Sequence, residues 1–172
     1  MKEKFTILRY IIYSLLIFIF YILQGVPNLI PEICGGKPVL LIAFALSICS
    51  YEKEIPSTAF GFACGIMCDL GLSNTIGYFT IALTAICYFQ TLLLNTVVVK
   101  NFINTMLLSF VSVALIIGLY FVFFYIFKGY DSGLYYFTNH YLSRIIYTFL
   151  CIIPIYFINK FIYFELNESE FI

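Results

Sequence analysis

Residues 61–77 read Gly61-Phe-Ala-Cys-Gly65-Ile-Met-Cys-Asp69-Leu-Gly71-Leu-Ser-Asn-Thr-Ile-Gly77. Here small residues, a carboxylate and turn-forming glycines stand together inside an otherwise apolar chain. Gly61, Gly65 and Asp69 recur every four residues, so on a helix they share one narrow stripe. Small residues at this spacing let helices in lipid approach backbone to backbone. A carboxylate ending such a stripe is costly in lipid and points to a specific role.

The surroundings fix the solvent. Of 172 residues, 63% are apolar and 10% are charged, and the mean hydropathy is +1.02. A soluble domain carries about a quarter charged residues, so too few are present here to cover a water-facing surface. The 9 basic and 9 acidic side chains balance, which argues against a nucleic-acid partner. One integral membrane domain over residues 1–172 accommodates the length.

Working outward from residues 61–77, apolar runs and breakers predict six helices, about 6–24, 38–51, 57–70, 77–99, 102–127 and 143–164. Lys2, Lys4 and Arg9 precede the first run, which leads without a small-residue cleavage site into further membrane sequence. Gly25, Pro27, Pro31, Gly35 and Gly36 mark a loop. Pro38 stands where the second helix begins, since its missing N–H costs nothing in a first turn. The second and third helices are short against the ~20 residues that span a bilayer. They must tilt, thin the bilayer locally or be shielded by neighbouring helices. Glu52-Lys53-Glu54 between them reads as a solvated turn. Residues 128–142 form the longest polar interval, rich in interfacial tyrosines. Pro154 interrupts the last run, and a kink is expected there. With the N-terminus inside, inner segments hold Lys2, Lys4, Arg9, Lys53, Lys100 and Lys160, against Lys37, Lys128 and Arg144 outside. That asymmetry predicts both termini in the cytoplasm.

Catalytic chemistry is not predicted. His140 is the one histidine, with no zinc-binding or nucleophile motif around it. Cys64 and Cys68 beside the stripe read as small core residues rather than ligands of a soft metal. No cofactor and no metal are expected. Asp69 is the ionisable residue with the strongest claim. It lies at the outer, negative end of its helix dipole, where a carboxylate needs compensation. Three arrangements are open: acceptance of N–H groups from the following turn, pairing with Arg144 at the start of the last helix, and solvation at the interface. For Gly61 and Gly65, packing within the subunit stands beside a partner interface.

The Gly61-x-x-x-Gly65-x-x-x-Asp69-Leu70 pattern, followed by Gly77, resembles the central signature of the bacterial rod shape-determining MreD family. Pro38 before a short apolar helix and Pro154 in the last helix are similar to the family's prolines, and length and loops agree across nearly the whole chain. The acidic tail, with Glu165, Glu168 and Glu170, departs from the family's basic one. The resemblance implies a non-enzymatic subunit of the machinery for lateral peptidoglycan synthesis in the cytoplasmic membrane. Its partners would be MreC, and with it RodA, a penicillin-binding transpeptidase, MreB and membrane lipid. It further implies a bundle similar to the substrate-binding S components of energy-coupling-factor vitamin transporters, which supply the alternative function. Such a component needs small residues on its first helix for docking, where this chain offers Ser14 among large apolar side chains. The candidate interaction or shape-determining residues are Pro38, Gly61, Gly65, Asp69, Gly77, Arg144 and Pro154.

Overall fold

The computed structural model describes residues 2–26, 29, 31, 36–72, 77–98, 101–126 and 140–168. Among them the chain is all-helical, with α1 (Lys2–Gly25), α2 (Leu40–Ile48), α3 (Glu54–Leu72), α4 (Tyr78–Thr96), α5 (Phe102–Phe121) and α6 (Leu142–Glu168). A π-helical stretch, Val122–Ile126, prolongs α5. The predicted turn at 73–76, the loop residues 127–139 and Cys34 lie outside the described residues.

Among the described residues, four helices qualify by length and composition to cross a membrane, where six were expected: Phe5–Gly25, Tyr78–Thr96, Phe102–Phe124 and Leu142–Leu166. These are the features of a multi-pass membrane protein. Their outward faces carry exposed Ile7, Ile11, Leu15, Ile81, Leu107, Leu115 and Phe161, which suit a lipid solvent. α2 has nine residues, about 14 Å at 1.5 Å per residue, against a hydrocarbon thickness of about 30 Å. α3 has 19 residues, but its glycines, hydroxyls and carboxylates dilute its apolar character. It begins at Glu54, ahead of the predicted start, and Pro56 falls in its first turn, where no N–H is needed.

The bundle is built around α2. Every residue from Leu41 to Ile48 is at most 1% exposed, and α1, α3, α4, α5 and α6 all pack on it. A helix that is apolar all round is stable where it is covered all round. Shielding by neighbours, one of three solutions open to a short helix, is the one adopted here. Side chains of other helices also satisfy its end. The Val39 N–H donates to Thr148 Oγ1 of α6 at 3.1 Å, and the Leu41 N–H to Gln24 Oε1 of α1 at 3.4 Å. Pro38 is buried but sits before the N-cap Val39, outside the helix rather than in its first turn.

Successive helices alternate in direction. Arg9 near the start of α1 meets Glu52 after α2, and Asn95 near the end of α4 reaches Glu54 at the start of α3. Tyr51 after α2 packs on Tyr156 and Tyr163 late in α6. The opposite end gathers Asp69, the start of α4, Phe121 and Tyr141. α6 runs continuously through Pro154, whose side chain is exposed.

Candidate functional site: the corner between α3 and α4

The glycine stripe faces α4. A Cβ at Gly65 would stand 2.5 Å from Thr80 Cα and 2.9 Å from the Phe79 carbonyl oxygen. One at Gly61 would stand 2.8 Å from Cys87 Sγ and 3.2 Å from the Leu83 carbonyl oxygen. Both positions therefore serve packing inside this subunit, and only a hydrogen atom fits. Cys64 and Cys68 are fully buried beside them.

The stripe ends at Asp69, which is 4% exposed. Its Oδ2 accepts the N–H of Gly77 and of Thr80, each at 3.0 Å, and the Thr80 hydroxyl at 2.5 Å. Its Oδ1 accepts the N–H of Phe79 at 3.0 Å. A helix start leaves such N–H groups without acceptors. The N-cap position of α4 is Gly77, which has no side chain to supply one. Asp69 supplies it from the preceding helix, where its charge also meets the positive end of the α4 dipole. The negative end of α3 is thereby offset. Gly77 adopts φ +103°, a left-handed conformation that glycine takes without penalty. Of the three arrangements open to Asp69, these bonds are those of the local cap.

Arg144 lies in the first turn of α6 at the same end of the bundle. It forms no ion pair with Asp69; among the described residues the ion pair is Arg9–Glu52. The Nε of Arg144 is buried and makes no hydrogen bond among the described residues. A Cβ at Gly36 would be 2.9 Å from the Arg144 backbone nitrogen. Aromatic rings line this end: Phe79 stacks on Tyr120 at 5.3 Å, and Tyr141 meets Tyr120 and Phe121. The Tyr78 hydroxyl donates to the Ile116 carbonyl at 2.7 Å and ties α4 to α5. His140 is exposed.

The far end corrects one sequence expectation. Glu52 does not belong to a solvated turn: it is 4% exposed and pairs with Arg9 of α1, itself 8% exposed. Arg9 Nε lies 2.7 Å from Oε1, and Nη2 donates to Oε2 at 3.2 Å. The guanidinium also lies 4.9 Å from the centre of the Tyr163 ring. Burial pushes the Glu52 carboxyl above its ordinary 4.5, against the opposing pull of Arg9. The turn bends back under α1, so the hydrophilic tripeptide hides its first residue.

Between the ends runs a polar seam absent from the expectations. Gln90 of α4 donates from Nε2 to Ser109 Oγ at 3.1 Å and to the Leu46 carbonyl at 3.3 Å. Its Oε1 accepts the Ser112 hydroxyl at 2.9 Å. Ser57 Oγ shares a hydrogen bond with Thr91 Oγ1 at 2.8 Å, and Asn159 Nδ2 donates to Ser47 Oγ. Each ties two or three helices together, as polar residues do between helices in lipid.

No protein-family model, no curated protein and no solved structure matches this chain.

Proposed function

We propose that this chain is a non-enzymatic scaffold subunit of the complex that builds the lateral cell wall in the bacterial cytoplasmic membrane. It captures MreC and holds it near RodA, a penicillin-binding transpeptidase and MreB, with both termini cytoplasmic. The reading rests on the residues that carry the family resemblance, Gly61, Gly65, Asp69 and Gly77.

One observation supports it most: those four residues form one device, in which Asp69 caps α4 and the glycines admit α4 against α3. Such a device determines the shape of a helix pair, and a scaffold offers its partners shape. α3 and α2 then act as internal supports, and the remaining helices present apolar faces to partner helices and lipid. Pro38 precedes α2, Arg144 stands in the first turn of α6, and Pro154 lies within α6.

The test is co-purification from detergent-solubilised membranes with MreC of the same cell, with vitamin binding measured in parallel. Capture of MreC by the intact, folded chain is the expected result, and a folded chain that captures none would overturn the reading. Bound vitamin without MreC would replace this reading with that of a transporter S component.

A further inference from the structure

A pocket of about 390 Å³ opens at the Glu52 end of the bundle, between the turn after α2, the start of α5 and the end of α6. Its polar lining includes Ser50, Asn101, Thr105 and Lys160, and its aromatic walls include Tyr163 and Phe164. Among the described residues no carboxylate lines it. Ser50 is 7% exposed, and its Oγ is buried without a hydrogen bond among the described residues. Such a hydroxyl costs stability unless something fills its hydrogen-bonding capacity. Lys160 forms no ion pair among the described residues and lies 6.0 Å from the centre of the Phe164 ring. Phe102 and Phe164 of its lining are half exposed.

We propose that this pocket binds the phosphate of an anionic phospholipid, with Lys160 as counter-charge, Ser50 as hydroxyl donor and the phenylalanines against the acyl chains. The chemistry is that of a phosphate monoanion with one cation and neutral donors around it. The position suits a headgroup. The pocket lies at the end of the bundle rather than at its waist, beside the Arg9–Tyr163 contact. A lysine near a membrane surface attracts anionic lipid, and here it adjoins a cavity with an unfilled donor. This inference is independent of the scaffold function.

Native mass spectrometry of the full chain in detergent tests it, titrating phosphatidylglycerol, diacylglycerol and inorganic phosphate separately. The intact chain is expected to retain phosphatidylglycerol and not diacylglycerol. Lys160→Gln should weaken retention about tenfold, the value of one charge-assisted hydrogen bond. Ser50→Ala should weaken it severalfold. Lys53→Gln, which removes an exposed cation at the same end, should leave it unchanged. Equal retention by Lys160→Gln, or an equal loss in Lys53→Gln, would overturn the site. Displacement of the lipid by inorganic phosphate at comparable concentration would assign the site to free phosphate and overturn the lipid as its occupant. Melting of each variant at the parent temperature separates lost binding from lost fold.

Discussion

The carboxylate of Asp69 and the hydroxyl of Thr80 lie 2.5 Å apart across the corner between two antiparallel helices. The same oxygen takes the Thr80 N–H, and its twin takes that of Phe79. A helix start is thus capped from eight to eleven residues upstream, by a buried residue near the end of the helix packed against it.

Removing that acceptor set should be costly. Asp69→Ala orphans the N–H groups of Gly77, Phe79 and Thr80, and a lost cap alone costs about 1–2 kcal/mol. Burial of the orphaned donors adds about 1–3 kcal/mol. Asp69→Asn keeps one oxygen and should retain roughly half of this stability, since its NH2 cannot accept. Thermal unfolding in detergent should order the three proteins as parent, Asn, Ala. An Asn variant as unstable as Ala would show that charge, rather than acceptor geometry, carries the cap.

The two stripe glycines should differ. At Gly65 an added methyl meets α4 backbone, which cannot rotate away, whereas at Gly61 its nearest atom is the Cys87 sulfur. Overpacking costs about 1–3 kcal/mol, with Gly65→Ala at or beyond the upper end and Gly61→Ala nearer the lower. Cys87→Ala should partly rescue Gly61→Ala and leave Gly65→Ala untouched, because coupling needs contact. A double-mutant cycle of melting temperatures measures both. Rescue at both positions would place the strain elsewhere.

The Arg9–Glu52 pair should behave as a buried ion pair. Arg9→Met should cost about 3–5 kcal/mol, because the Glu52 carboxylate stays buried without its partner, and Glu52→Gln should cost less, because burial already favours the neutral form of that side chain. The double variant should cost less than the two losses summed. Equal and additive losses in unfolding experiments would argue against direct pairing.

Glu52 also predicts a pH dependence. Its folded-state pKa is raised above the ordinary 4.5 by burial, so the folded chain holds the proton more tightly than the unfolded one. Its contribution is fully present below 4.5 and is lost as pH rises through the raised value. Melting profiles across that interval should fall with pH in the parent and flatten in Glu52→Gln. An unchanged slope in the variant would assign the dependence to another group.

Gln90 should act as the clasp of the polar seam. Gln90→Leu leaves Ser109, Ser112 and the Leu46 carbonyl to find other partners. Interhelical hydrogen bonds in lipid contribute about 0.6–1.7 kcal/mol each, and a loss of about 1–2 kcal/mol is expected. Stability equal to the parent would mean that packing alone holds α4 to α5.

The helical character of the chain and its long apolar helices were legible because apolar runs end at glycine, proline and charge. The Gly61–Gly65–Asp69 stripe was legible because spacing by four is a property of one helix. What it packs against was not, because a spacing names a face and not its neighbour. Glu52 misled for the same reason. Followed by Lys53 and Glu54 it looks solvated, and its partner Arg9 stands 43 residues away. Gln90, Ser109 and Asn159 gave no signal at all, since isolated neutral polar residues in apolar runs carry no mark of their partners.

The burial of α2 has a consequence for biogenesis. Nine residues are too few for lipid to hold as a span, so α2 is secured only by protein. Two of its ties, Val39 to Thr148 and Ser47 to Asn159, reach a helix synthesised more than a hundred residues later. The innermost element of the bundle is therefore among the last to be fixed. Until α6 arrives, the nascent protein holds its future centre in provisional company.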